Sequence, residues 1–554
     1  MITPNIASHL TVMALQQPDT HAVVVQSISA SDKSDLILYK NTYTYKELDE
    51  ISNMIANGLR NYGIAKGMRT VLMVKPGLDF FALIFALFKL EAVLVAVDPG
   101  MGIKNLGKCL AEAESEAFIG ISSAHIARLT LGWAKKTISK TVLVGNNLLL
   151  ARTITTLEKV KASAKDRVFE NNKTVAEDMA AILFTSGSTG IPKGVVYTHA
   201  NFTAQHEALK NLYNIQKGEI DLATFPLFAL FAPALGMTSV IPKMDFTRPG
   251  HVNPKTIIDA VNDYQCTTMF GSPALLNRVG KWGEVNERKL PTLKRVLSAG
   301  APVAASVLKR FSLLLNNDVQ IFTPYGATES LPVSSVGSNV ILNETAKATI
   351  AGKGVCVGVP VPSMDTRIIK ITDDVITTWD NRLVLNTNQI GEICVSGPQV
   401  TKSYFNRHNA TVLTKIKVGN KFYHRMGDVG YLDNDGRLWF CGRKSQRVIT
   451  DVETLYTICC EGVFNKHASV FRSALVGIKQ KNKIIPVICI ELELDHKSDD
   501  RKKLTEELLE LGSYYLNTRN IKKILFHSNF PVDIRHNAKI GREKLSEWAE
   551  KKSS

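Results

Sequence analysis

Residues 180–194 read AAILFTSGSTGIPKG, a short apolar run that breaks into glycines, hydroxyl residues and a lysine. Glycine lets the backbone turn its N–H groups inward and approach an anion closely, and hydroxyls and an ammonium add further donors. A loop of this kind at the exit of a buried strand reads as a phosphate cradle. It is not the GxxxxGK[ST] loop, because Pro192 separates the last glycine from Lys193. The position also bears on the fold: in open α/β sheets, ligands collect outside the carboxyl ends of the strands.

The same alternation continues on either side. Residues 43–63 (YTYKELDEISNMIANGLRNYG) are amphipathic at helical spacing and 70–74 (TVLMV) form a β-branched run. Residues 79–92 (DFFALIFALFKLEA) form an apolar helix leading into VLVAVDP at 93–99, and after the loop 200–213 (ANFTAQHEALKNLY) reads as another helix. Short apolar runs joined by helices predict an α/β protein with mixed, largely parallel sheets buried on both faces. Beyond about residue 355 the texture changes. VGVPVPSMDTRIIKI, GEICVSG and GYLDNDGRLWFCGR are short segments separated by turn residues, NDG at 434–436 among them, and predict a small antiparallel subdomain. The last hundred residues combine two strand runs, at 473–478 and 484–494, with a charged helix at 499–516 and a final helix at 542–552. They read as an α+β lid joined near Gly442–Arg443–Lys444, giving domains at 1–443 and 444–554.

Bulk properties narrow the classes. A chain of 554 residues exceeds what one core usually serves. The 67 Lys and Arg exceed the 51 Asp and Glu by 16, but the cations are scattered and no aromatic residues interleave with them, so a nucleic-acid groove is not expected. The eight cysteines (109, 266, 356, 394, 441, 459, 460, 489) show no CxxC pair, which fits buried, reduced thiols in a cytoplasmic protein. Residues 1–10 lack a basic start followed by an apolar core, so no signal peptide is expected. The most apolar long window, 225–242, carries three prolines and a glycine and reads as strand and loop around an apolar cavity, not as a membrane span.

The decapeptide TSGSTGIPKG resembles the phosphate loop of the adenylate-forming superfamily: acyl-CoA synthetases, peptide-synthetase adenylation domains and luciferases. Further segments resemble that family's motifs in the same order: SAGAP at 298–302, PYGATE at 324–329, YHRMGDVGYLDNDGRLWFCGR at 423–443 and HNAKIGREKL at 536–545. The resemblance covers essentially the whole chain. Two departures stand out: Arg425–Met426 occupies the place of a usual threonine, and Ala538 that of a glycine. The resemblance implies ATP and Mg²⁺, with Thr185, Ser186, Gly187, Ser188, Thr189, Gly190 and Lys193 around the β- and γ-phosphates. Tyr325 and Gly326 would lie by the adenine with Gly300 and Ala301, Thr328 at the α-phosphate, and Glu329 with Thr185 on the metal. Asp428 and Arg443 would hold the ribose, Lys539 would enter from the lid as a catalytic residue with Thr328 and Glu329, and Lys444 would be the hinge. Attack of a carboxylate on the α-phosphorus brings negative charges together, so cations and donors at these places are what the chemistry requires.

Behind the hinge, KSQRVITDVETLYTICCEGVFNKH (444–467) has no glycine until 462, where the superfamily usually carries a loop that helps form a thiol tunnel. This stretch, with PVDIRHNAKI (531–540) and TFPLFALFAPALGMTSVIPKMDFTRP (224–249), resembles the β-lactone synthetase branch of bacterial long-chain olefin biosynthesis. That branch implies a 2-alkyl-3-hydroxy fatty acid whose own hydroxyl displaces AMP, and thiolase-, reductase- and decarboxylase-type enzymes as possible partners. Phe225, Phe228, Leu230, Phe231 and Met237 are candidates to line an alkyl pocket, and Met269–Phe270–Gly271 to seat the acyl group. The base for the hydroxyl stays open between His199, Glu329 and neither. A long-chain acyl-CoA ligase and a silent nucleotide-binding scaffold are the alternative readings.

Overall fold

The computed structural model describes residues 3–27, 38–170, 174–185, 192–225, 231–493, 496, 500–532 and 539–553. The stretch AAILF lies in the strand Met179–Phe184, within a seven-stranded sheet. The order runs Thr155–Thr156, Lys140–Val144, Ala117–Ile121, Arg69–Met73, Val93–Ala96, Met179–Phe184, Gly194–Thr198. All neighbours are parallel except the last pair, in which the chain leaves Met179–Phe184 through the glycine loop and returns antiparallel.

Alternate residues of these strands serve opposite cores. Leu94, Ile119 and Ala181 join one cluster, and Val95, Phe118 and Ile182 join another, as the period-2 geometry of a strand demands. A second sheet repeats the pattern: Val23 faces the first cluster and Val24 a third, with Leu222, Met269, Val296 and Ile321. The helix Leu78–Lys89 lies in the core shared by the two sheets and is buried from Phe80 to Lys89. Its one buried charge, the Lys89 ammonium, donates to Asp49 Oδ1, Ser52 Oγ and Asn53 Oδ1, each at 2.7 Å. Those acceptors come from the helix Tyr45–Tyr62, which starts on a Thr44–Glu47 capping box and ends at left-handed Gly63.

The second sheet is parallel from His21–Val25 through Thr238–Ile241, Ile220–Leu222, Thr268–Phe270 and Arg295–Leu297 to Gln320–Ala327. It then continues antiparallel through Ser330–Gly337, Val355–Pro360, Leu438–Arg443, Lys421–Leu432 and Gly391–Ser396 to Asp365–Ile369. The antiparallel strands expected beyond residue 355 are therefore present, and they extend the parallel sheet instead of standing apart from it. The 434–436 turn lies between Lys421–Leu432 and Leu438–Arg443. In the 225–242 window the described part is a short helix, Phe231–Ala234, and a buried strand, Thr238–Ile241. A third sheet, Val470–Gln480, Lys483–Leu492 and Lys523–Phe526, packs with the helices Thr457–Phe464, Arg501–Ser513 and Arg542–Ser553. All eight cysteines are buried and none is in a disulfide. Among the described residues no helix is long and apolar enough to cross a membrane.

The join between Ser330–Gly337 and Val355–Pro360 needs a residue without a side chain at Gly358. Its φ is +90° and an added Cβ would lie 1.9 Å from the Ser335 carbonyl oxygen. Gly358→Ala is expected to cost about 3 kcal/mol through strain and clash, measured as a lowered urea midpoint at unchanged slope.

Candidate active site

The carboxyl ends of both sheets open on one cavity of about 2060 Å³. Thr185 leaves the first sheet and Lys193 re-enters it; the Thr185 amide donates to the Lys193 carbonyl at 3.0 Å, which closes the neck of the loop. Ser186, Gly187, Ser188, Thr189 and Gly190 lie outside the described residues. From the second sheet come Gly300 and Ala301, beyond Arg295–Leu297, and Tyr325 and Gly326 in Gln320–Ala327, with Thr328 and Glu329 in the turn that follows. Gly326 has no room for a side chain, since a Cβ would lie 2.5 Å from the Ser330 carbonyl oxygen.

Asp428 and Arg443 are cross-strand partners, so register alone sets them side by side. The Tyr325 hydroxyl donates to Asp428 Oδ2 at 2.7 Å, and Arg443 Nη1 stands 2.8 Å from Oδ1. That second contact is an ion pair without hydrogen-bond alignment, and Asp428 Oδ1 accepts no hydrogen bond among the described residues although it is buried. Burial pushes the Asp428 carboxyl up and Arg443 pulls it back down. Burial, with Asp428 beside it, raises the Tyr325 phenol well above its usual range, so Tyr325 remains a hydrogen-bond donor. A carboxylate oxygen has two lone pairs, so Asp428 Oδ1, which meets Arg443 only as an ion-pair partner, keeps the capacity to accept from a ligand hydroxyl.

Glu329 Oε1 accepts from the Tyr404 hydroxyl at 2.7 Å. Among the described residues no three His, Cys, Asp or Glu side chains gather as a metal site. A lone carboxylate near a phosphate loop fits Mg²⁺, which takes one or two carboxylates and draws its remaining ligands from phosphate oxygens and water.

The apolar wall includes Phe225, Phe231 and Phe270, with Phe80, Phe202 and Phe246. Phe228 and Leu230 lie outside the described residues. Gly271 is not part of the wall; its missing side chain accommodates Leu276 Cδ2, 2.6 Å from where a Cβ would be. Met237 and Met269 are core residues away from the wall. His199 is likewise buried off the cavity, beside Phe88, and burial lowers it to about 4. Lys539 is exposed and lines the cavity from the C-terminal part of the chain, next to the Val532–Ile540 bridge. Lys444 opens a single 3₁₀ turn and is tied across to the Thr372 carbonyl at 2.8 Å and to Glu392. Arg425 is fully buried against Glu392 and the carbonyls of Thr372, Asp374 and Leu413, so its guanidinium braces the strand.

Two lining or near-lining groups carry no motif in the sequence. Tyr404 is buried in the wall, and Lys415, paired across strands with His424, donates to the Thr401 carbonyl. Burial lowers the Lys415 amine from its ordinary 10.5 to about 7. Between those values the unfolded chain holds a proton that the folded chain does not, so stability rises with pH across that window. Lys415→Met is expected to remove this rise, seen as a denaturation midpoint that climbs less than the wild type's between about pH 7 and 9.

Residues 12–405 match the model of the family described as AMP-binding enzyme. The chain is 47% identical over 551 residues to the olefin beta-lactone synthetase of Stenotrophomonas maltophilia, covering 98% of each chain. It is 45% identical over 550 residues to that of Xanthomonas campestris, covering 98% of this chain and 97% of the relative. Among solved structures, ATP-bound MatB from Rhodopseudomonas palustris superposes with a TM-score of 0.79 at 18% identity over all of both chains, a likeness of fold.

Proposed function

The chain belongs to the AMP-binding enzyme family, and we propose that it is an ATP-dependent, AMP-forming β-lactone synthetase acting on a 2-alkyl-3-hydroxy fatty acid. The observation that carries the nucleotide half is the Asp428 carboxylate in the cavity lining, oriented by the Tyr325 hydroxyl and paired with Arg443. The lactone half is supported by the full-length similarity to two olefin beta-lactone synthetases.

In this reading Asp428 accepts from the ribose hydroxyls while Arg443 opposes the upward push of burial on its carboxyl, and Tyr325 with Gly300 and Ala301 flanks the adenine. Thr185 and Lys193 bind the outer phosphates with the intervening loop, Thr328 holds the α-phosphate, and Phe231 and Phe270 seat the alkyl part. Mg²⁺, held by Glu329 and Thr185, would supply charge neutralisation on the triphosphate. The substrate carboxylate oxygen attacks the α-phosphorus and pyrophosphate leaves. Lys539 neutralises charge at the reacting oxygens; residues 444–554 act as the lid that delivers it, hinged at Lys444. The 3-hydroxyl oxygen then attacks the acyl carbon, AMP leaves with its oxygen, and the hydroxyl proton is lost. An internal nucleophile has a high effective concentration, which offsets ring strain at the activated carboxyl.

Incubation with ATP, Mg²⁺ and a 2-alkyl-3-hydroxy acid, without CoA, is expected to give β-lactone and AMP in equal amounts by mass spectrometry and nucleotide chromatography. Thioester formation only when CoA is added would instead assign a CoA ligase. Lys539→Ala is expected to abolish AMP formation while AMP still binds, as read by titration calorimetry. Asp428→Ala is expected to weaken AMP binding by about a hundredfold, the worth of two charge-assisted hydrogen bonds.

A further inference from the structure

The segment 401–405 contacts both charged poles of the site at once. On one side it runs antiparallel to the strand that follows Lys193: the Val196 amide donates to the Ser403 carbonyl at 3.1 Å and the Phe405 amide to the Gly194 carbonyl at 2.8 Å, with Tyr404 opposite Val195. On the other side the Thr401 amide and hydroxyl donate to the Glu329 carbonyl, at 2.9 and 3.1 Å. Tyr404, between these anchors, turns its side chain to the cavity and is 6% exposed. Its hydroxyl donates to Glu329 Oε1 at 2.7 Å, and Lys193 Nζ lies 5.1 Å from its ring centroid, within cation–π range. Lys415 Nζ lies 5.9 Å from the same ring. Among the described residues Lys193 and Glu329 make no ion pair, although both line one cavity.

We propose that Tyr404 is a positioning residue that sets Glu329 and Lys193 together: it binds one oxygen of the carboxylate, leaving the other for a metal, and supports the ammonium on its ring, so that cation and anion do not neutralise each other. This rests on the reading of Lys193 and Glu329 as the triphosphate and metal groups. The side chain needs an aromatic face for the cation and a donor at its tip for the anion, and tyrosine supplies both.

The test measures binding of AMP, which lacks the outer phosphates, and of ATP across a Mg²⁺ series, by calorimetry on the full chain. Tyr404→Phe, which keeps the ring, is expected to raise the half-saturating Mg²⁺ for ATP binding about tenfold, the worth of one hydrogen bond to a charged group, with AMP affinity unchanged. Tyr404→Leu is expected also to weaken metal-free ATP binding several-fold through loss of the ring. In a Glu329→Gln background, Tyr404→Phe is expected to change the Mg²⁺ dependence no further. Wild-type Mg²⁺ dependence in Tyr404→Phe, equal losses for AMP and Mg·ATP, or additive effects with Glu329→Gln would each overturn the proposal. A wild-type chain that binds neither nucleotide overturns instead the reading on which it rests. If the phenylalanine variant does not fold, Tyr404→Met, which lacks both ring and hydroxyl, is read against the two losses expected of Tyr404→Leu.

Discussion

A helix that is apolar around its circumference has no face to give to water, and beyond Asp79 in its first turn Leu78–Lys89 is such a helix, buried from Phe80 on. Its burial requires cover on every side, and the cover is two sheets with the helices Ala7–Gln16, Tyr45–Tyr62 and His199–Tyr213. Sheets sharing that core bring their carboxyl ends toward a common opening, so the phosphate-type loop of one and the Tyr325–Glu329 turn of the other line the same cavity. Chemistry at the cavity therefore depends on packing well behind it. Lys89 is tolerated there because the capped neighbouring helix presents four acceptors to its ammonium.

Around the cavity two carboxylates are oriented by the hydroxyls of tyrosines. Asp428 is held by Tyr325 and Arg443 with one oxygen lacking a hydrogen bond, and Glu329 is held through one oxygen by Tyr404. Such groups are costly to bury and persist because their neighbours keep them oriented. Arg425 and Glu392 are the contrasting case, a fully satisfied buried pair that stiffens the strand carrying Asp428.

Much of the fold was readable from residue order. Short apolar runs such as VLVAV and AAILF, the amphipathic 43–63 segment and the NDG turn lie where strands, helix and turn are found. What was not readable follows from non-local pairing. The antiparallel strands after 355 looked separate because nothing in their own pattern records that Ser334 pairs with Pro360 and so joins them to the parallel sheet. Gly271 and Met237 have compositions that suit a pocket wall, yet the wall is decided by which face packs: Leu276 fills the space at Gly271, and Met237 lies in the core. Tyr404 escaped notice for the converse reason, since an isolated tyrosine in GPQVTKSYF carries no local signal and gains its place only through Val195 and Glu329.

The sequence by itself determined the elements, the glycine loop with its lysine, and the family, because turn chemistry, hydrophobic period and short motifs are local properties of neighbouring residues. Only the tertiary structure decided which charges meet. Asp428 finds Tyr325 across 103 positions and Glu329 finds Tyr404 across 75, and a hydrogen bond over that separation exists only once the sheets have been drawn onto their shared core.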